Sequence, residues 1–168
     1  DTCPAALPLT LEVPRGEAQP DALADLARAS TPQRRVQAKF RTGPTPTWPW
    51  PDEAELATFL RSAVDHAVPF KLTGGLHHAV RGTHGGQEQH GLLNVLVAVH
   101  RALTGAEVLD LADTLSQRDV GTLVTAVVAL GAAEAAAVRS SFTAYGCCGV
   151  TDPLGELSTL HLLQGVHL

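Results

Sequence analysis

The sequence lacks the features that mark nucleic-acid-binding and membrane-spanning proteins. Its 168 residues carry a formal net charge of −5 and no run of basic residues, whereas a nucleic-acid surface needs clustered lysine and arginine. No apolar stretch reaches the roughly 18 residues that a membrane helix requires, and we recognise no signal-peptide pattern. We therefore expect a cytoplasmic protein that acts on a small-molecule substrate, with neither nucleic acid nor membrane as a partner.

Sulfur-containing residues are also scarce. The three cysteines are Cys3, which stands alone, and the adjacent pair Cys147 and Cys148. This pattern gives no disulfide framework and favours a reducing compartment, and the adjacent spacing is poor for metal ligation. Methionine is absent even from position 1, which leads us to expect a processed product, a truncated chain or a fragment.

What is present is the composition of one globular domain, predicted over 1–168. Apolar residues make up 45% of the chain and charged residues only 17%, enough for a single core. Alternating segments predict strands at 9–14, 35–43, 68–75 and 141–146. Helical spacing predicts helices at 20–29, 52–67 and 152–163, and a helical insert at 92–140.

The order of these elements predicts an α/β fold. Strands that alternate with helices form parallel sheets covered by helices. The segments AKFRTG and FKLTGG repeat each other, with their lysines 32 residues apart, about one βα unit. Four such units are half of a (βα)8 barrel, so we predict its carboxyl-terminal half, with an open α/β sheet as the alternative. The open edges of a half-barrel lead us to expect a homo-oligomer or a missing amino-terminal half as partner.

The alternation along the strands places polar residues on one shared face. Glu12, Lys39 and Lys71 fall on that face of three consecutive strands, and Thr143 and Tyr145 on that of the fourth. Burial and a second ammonium favour the neutral form of a lysine, which is a nucleophile towards carbonyl groups. A carboxylate beside it could move protons. The alternative is a solvated barrel mouth, in which the lysines reach into water and Glu12 is a salt-bridge partner.

The two lysine motifs resemble those of class I, Schiff-base aldolases of the deoxyribose-phosphate aldolase type. AKFRTG is similar to strand six of that family, FKLTGG to strand seven with its phosphate-binding turn, and TAYGCCG to the final strand. The resemblance implies that Lys39 forms the imine and that Lys71 keeps it neutral. It also implies that backbone N–H groups of Gly74, Gly75 and Gly146 bind a phosphate.

This sequence departs from the aldolase motifs at Phe40 and Arg41, where the family has small residues, and at His77 and His78. The motif FKLTGGLHHAVR also resembles one found in uncharacterised bacterial proteins, which adds no activity. Three further residues within these motifs complete the candidate substrate contacts. They are Arg41, Thr73 and Tyr145.

A histidine-rich loop is the second candidate site. His77 and His78 follow a strand end, where barrel active sites lie, and either could be a general acid or base. With further histidines and a carboxylate they could also bind a divalent metal, although the spacing matches no standard zinc motif. Arg81 in the same loop could bind a carboxylate or a phosphate.

Three functions are therefore open at the level of sequence. The leading hypothesis is cofactor-free lysine-dependent carbonyl chemistry, of the aldolase or lyase type, on a small oxygenated and in some cases phosphorylated substrate. The second is a metal-dependent enzyme that uses His77 and His78 at the barrel mouth. The third is a non-catalytic binding or scaffold protein with a barrel-like fold.

Overall fold

The computed structural model describes residues 7–163 and consists of mixed strands and helices. Its strands are β1 (Leu9–Glu12), β2 (Val36–Arg41), β3 (Phe70–Thr73), β4 (Gly82–His84), β5 (Gln87–Gln89) and β6 (Phe142–Gly146). Its helices are α1 (Gln19–Ala29), α2 (Glu53–Asp65), α3 (Leu92–Leu103), α4 (Val108–Ser116), α5 (Val120–Val128), α6 (Ala132–Ser141) and α7 (Thr151–Thr159).

Four strands form one parallel sheet in the order β1-β2-β3-β6. This confirms the predicted α/β class with parallel strands. The remaining strands, β4 and β5, pair as an antiparallel hairpin inside the segment that we predicted to be a loop.

The core lies on the helix-covered face of the sheet. The chain's four phenylalanines form a continuous row there. Phe40 stacks on Phe59 with ring centroids 4.5 Å apart, Phe59 meets Phe70 edge-on at 5.2 Å, and Phe70 stacks on Phe142 at 5.7 Å. This row joins β2, α2, β3 and β6, so the sheet and α2 pack as one unit.

The helices follow local sequence signals. α2 begins with a capping box, in which the Asp52 side chain accepts from the Glu55 N–H and the Glu55 side chain accepts from the Asp52 N–H. α3 is apolar almost all round and is buried among α2, α4, α5 and α6. Within residues 7–163 no helix alone is long and apolar enough to cross a membrane, although α5 and α6 reach that length together, across a 108° bend.

A bulge in β6 corrects the predicted face of Tyr145. Phe70 pairs with Phe142 but Lys71 pairs with Ala144, so Thr143 is an extra residue in the ladder. The shift turns Tyr145 to the side of its partner Leu72, where it packs against the core. The prediction that Tyr145 lies on the polar face is therefore wrong.

Candidate functional site

The polar face of the sheet brings three predicted residues side by side. Glu12 pairs in register with Lys39, and Lys39 with Lys71, so the three side chains leave one face from strands about 4.8 Å apart. Lys39 Nζ lies 2.6 Å from Glu12 Oε2, with both side chains partly exposed. Lys71 makes no ion pair or side-chain hydrogen bond within residues 7–163.

Lys39 and Lys71 are the only two lysines in the whole chain, which contains ten arginines. If lysines served only as solvated surface charges, they would be expected on helices and loops like most of the arginines. Both lysines instead lie on adjacent strands of one sheet face, in direct register.

A row of neutral groups borders the lysines on the amino-terminal side. Gln37 Nε2 donates to Thr10 Oγ1 at 2.7 Å, and Thr143 Oγ1 donates to Gln37 Oε1 at 2.6 Å. These hydrogen bonds link β1, β2 and β6 across the face. Sequence reasoning missed this row, although the alternation along β2 places Gln37 on the same side as Lys39.

Arg41 lies on the other side of the lysines, at the carboxyl end of β2. Its Nε donates to the Pro44 carbonyl at 3.1 Å. A Cβ at Gly74 would meet the Arg41 guanidinium at 3.1 Å, so the arginine covers the Gly-Gly turn. Its register partner Thr73 has a buried Oγ1 with no hydrogen-bond partner among the described residues.

Close packing accounts for the glycines of this turn. A Cβ at Gly43 would lie 1.6 Å from the Gly74 carbonyl oxygen, and one at Gly75 would lie 2.8 Å from Thr42 Oγ1. Gly74 also has a φ of +78°. Its N–H donates to the Gly146 carbonyl at 2.8 Å, so that N–H is used within the sheet and not by an anion.

A cavity of about 400 Å³ opens at the carboxyl ends of β1 and β2. Glu12 and Arg41 line it from the strands, and Arg15 and Trp48 from the loops that follow. Arg15 binds the Glu55 carboxylate, with Nη2 2.6 Å from Oε2, and its guanidinium lies 4.9 Å from the Trp48 ring centre. Trp48 is thus anchored as a wall of this cavity, at the sheet edge where α/β proteins bind ligands.

The histidine-rich loop forms a separate cluster with α7. His78 Nδ1 donates to Glu156 Oε1 at 2.7 Å, and the Ala79 N–H donates to the other oxygen at 2.6 Å. The His84 ring stacks on His78 with centroids 3.3 Å apart. Burial, followed by repulsion from His78, lowers the pKa of His84. Sequence reasoning missed Glu156, because nothing in the sequence of α7 shows that it faces this loop.

The donor groups of this cluster are not arranged for a metal ion. Within residues 7–163 no group of three histidine, cysteine, aspartate or glutamate side chains could hold one. His77 forms no hydrogen bond or ion pair with any described side chain. The metal-dependent alternative therefore gains no support from the arrangement of these residues.

Arg81 belongs to the fold rather than to an open site. Its guanidinium is buried and lies 2.5 Å from Glu53 Oε1 and 3.2 Å from Glu88 Oε2. Its backbone N–H donates to Asn94 Oδ1 at 2.9 Å. With both carboxylates on its guanidinium, Arg81 is not available to the substrate carboxylate or phosphate that we predicted for it.

The remaining candidates contribute little to the site. Burial raises the pKa of the Cys147 thiol, which makes it a poor nucleophile at neutral pH, and Cys148 is exposed and free. Cys3 lies outside the described residues.

A search of protein-family models, of curated proteins and of solved structures found no match to this chain. The fold and site define the class only as an α/β protein with a parallel sheet and a lysine-bearing polar face.

Proposed function

We propose that the protein performs lysine-dependent carbonyl chemistry of the aldolase type, making or breaking a carbon–carbon bond in a small oxygenated substrate. The observation that carries this proposal is the register of the only two lysines. Lys39 and Lys71 are direct neighbours on one sheet face, and Glu12 lies 2.6 Å from Lys39. A nucleophile, a second cation and a proton-transfer group are thus close together.

Lys39 is the proposed nucleophile, with Glu12 as the proton carrier. Lys39 passes a proton to the Glu12 carboxylate, and the free amine adds to the substrate carbonyl carbon. The nitrogen of the adduct passes one proton to the new alkoxide, which becomes a hydroxyl. Glu12 then returns its proton to that hydroxyl, which leaves as water and gives the iminium ion. The Glu12 carboxylate then removes a proton from the adjacent carbon, and the resulting enamine attacks a second carbonyl, whose oxygen takes the proton back from Glu12. Water adds to the product iminium ion by the reverse of the first steps, so the carbon–nitrogen bond breaks, the product carbonyl leaves and the Lys39 amine is regenerated.

Lys71 serves as the electrostatic partner in this scheme. It lies beside Lys39, and no described carboxylate compensates its charge. Its ammonium places a second positive charge beside the reacting amine. It can also donate a hydrogen bond to the oxygen of the substrate carbonyl, which becomes negative as the amine adds.

The four parallel βα units also support the proposal that this sheet is half of a (βα)8 barrel. Their polar face corresponds to the barrel interior, and the carboxyl edge corresponds to the end where barrel active sites lie. The site uses only side chains of this chain, so the proposed chemistry requires no cofactor.

Borohydride reduction of the iminium tests the proposed function. The full chain is incubated with acetaldehyde, glyceraldehyde 3-phosphate or pyruvate and then reduced, and the adduct is located by peptide mass spectrometry. Because the chain has only two lysines, a side-chain amine adduct can lie only at Lys39 or Lys71. We expect it at Lys39 in the wild type and its loss in Lys39→Met.

Two further variants make this test decisive. Lys71→Met is expected to slow trapping at Lys39. Glu12→Gln is also expected to slow it, because this variant removes the proton carrier. Each single variant should slow trapping by about 10²-fold or more, the typical size of acid–base contributions. Arg35→Gln removes a charge just before the opposite end of β2 and is expected to leave trapping unchanged. If no lysine adduct forms with any of the three carbonyl compounds, the proposed function is wrong.

A further inference from the structure

Arg41 is a fixed cation without a carboxylate partner in the described part of the chain. Only its Nε is engaged, by the Pro44 carbonyl, while the side chain packs over the turn at Gly74. Most of the other arginines form ion pairs with acidic side chains, among them Arg15, Arg61 and Arg81. Within residues 7–163 no ion pair involves Arg41, so its Nη groups remain as donors.

The charges of the polar face do not balance. Glu12 and Lys39 neutralise each other, which leaves Arg41 and Lys71 as two cations that no described carboxylate compensates. Arg41 pairs in register with Thr73, and Lys71 precedes Thr73 by two residues on β3, so the cations are diagonal neighbours. This positive region lies on a chain whose net charge is −5, which makes it a local attraction for anions.

The position of Arg41 relative to the nucleophile fixes the kind of molecule that fits. Arg41 follows Lys39 by two residues on β2 and points to the same face, so their backbone positions are about 6.6 Å apart along the strand. The cavity of about 400 Å³ that Glu12 and Arg41 line opens beyond them. A short carbon chain with a carbonyl group at one end and an oxyanion at the other spans this distance.

We propose that Arg41 binds the anionic end of the substrate, and hence that the substrates are anionic carbonyl compounds. The planar guanidinium presents its Nη donors to a phosphate or carboxylate in two parallel hydrogen bonds. Arg41 takes the place that the Gly-Gly turn was predicted to fill, because the turn lies under its side chain and the Gly74 N–H is used by Gly146. This assignment of substrate class rests on the proposed function, whereas the anion site itself does not.

Direct binding of simple anions tests the anion site without any reaction. Inorganic phosphate and acetate are titrated separately into the full chain and followed by calorimetry, which distinguishes a phosphate from a carboxylate preference. We expect Arg41→Gln to weaken binding of the preferred anion by about 10- to 100-fold, the loss typical of hydrogen bonds to charged groups. Arg41→Lys should retain part of the affinity because the charge remains, and Arg35→Gln all of it.

Trapping separates the two proposals from each other. Arg41→Gln should reduce borohydride trapping of glyceraldehyde 3-phosphate or pyruvate by a larger factor than it reduces trapping of uncharged acetaldehyde. If Arg41→Gln binds both anions as the wild type does, or the wild type binds neither, the anion site is wrong. If anions bind through Arg41 but no lysine adduct forms, the anion site stands and the proposed function fails.

Discussion

His90 is the residue whose protonation the fold resists most clearly. It is only 2% exposed, and its Nε2–H donates to the Pro51 carbonyl at 2.8 Å while its Nδ1 faces Arg81 Nη1 at 3.4 Å. Burial is the main cause that lowers its pKa, and Arg81 adds to it, against the opposing effects of the Pro51 carbonyl, Glu53 and Asp52. The folded state therefore holds the neutral ring.

This environment predicts a loss of stability in mild acid. Because the pKa of His90 is lower in the folded protein than its ordinary value of 6.5, its contribution is complete above about pH 6.5 and is lost as the pH falls through the folded value. Between the folded pKa of His90 and pH 6.5, the free energy of unfolding of the wild type should therefore fall as the pH falls. We expect His90→Gln to reduce the slope of the free energy of unfolding against pH in this range by up to about 1.4 kcal/mol per pH unit. Urea unfolding between pH 8 and pH 5 measures it.

The range above pH 7.5 is the internal control, because there the wild type and His90→Gln should give parallel stability curves. His84 has its pKa lowered as well, so His84→Gln is measured beside it to separate the two contributions. Identical slopes for the wild type and His90→Gln below pH 6.5 would contradict the prediction.

At the scale of single residues, the sequence alternation placed Glu12, Lys39 and Lys71 on one face correctly, because β1, β2 and β3 pair without a bulge. It failed at Tyr145, since one extra residue in β6 reverses the faces and no pattern in TAYG shows it. The role of Arg81 was also beyond reach, because its partner Glu53 lies 28 residues away in sequence. Contacts of that kind depend on tertiary packing.

Asn94 joins several elements through one buried side chain. It is 0% exposed, its Oδ1 accepts from the Arg81 N–H at 2.9 Å, and its Nδ2 donates to the Gln117 carbonyl at 2.7 Å and the Thr114 carbonyl at 3.1 Å. The histidine-rich loop, α3 and the end of α4 are thus held at one point. Helix spacing predicted α3 correctly but gave no reason for a polar residue inside it.

Replacement of Asn94 by aspartate is predicted to destabilise the protein strongly. The change keeps the shape but replaces a donor with an acceptor that faces backbone carbonyls, so a buried group loses its partners. We expect a loss of about 3 kcal/mol or more in the free energy of unfolding, as for a buried charge without a partner. Thermal and urea unfolding measure it.

Asp113→Asn is a matched control, because it makes the reverse change near the end of the neighbouring α4 at an exposed site. It should shift the stability by less than about 0.5 kcal/mol. Equal stability of Asn94→Asp and the wild type would show that Asn94 does not hold these elements together.

Element prediction succeeded where the periodicity was long and failed where it was short. The helices of the 92–140 insert follow their apolar spacing. The β4–β5 hairpin was missed because GTH and QEQ have three residues each and no apolar alternation. Strands β1 and β3 each have only four residues, which is shorter than the segments predicted from their alternation.

At the scale of the whole molecule, the sheet has two outer edges that no described strand covers. In the order β1-β2-β3-β6, the far sides of β1 and β6 carry no partner within residues 7–163. Unpaired strand edges favour pairing with another chain. Leu11 in β1 adds an apolar contact, because it is 45% exposed although it pairs with the buried Ala38 on the helix side of the sheet.

This geometry predicts that the chain associates with itself through the β1 edge, and that Leu11→Lys weakens the association. A lysine at that position places a charge on the edge that must be desolvated when a second strand docks. Sedimentation velocity over a range of concentrations is expected to show a dimer or larger species for the wild type and a shift of at least about tenfold in the dissociation constant for Leu11→Lys, corresponding to about 1.4 kcal/mol. Leu109→Lys is the matched control, since Leu109 is 81% exposed and lies in α4, which is not part of the sheet. This variant should associate as the wild type does. A wild type that remains monomeric at every concentration, or equal shifts in both variants, would show that the β1 edge does not pair with a second copy.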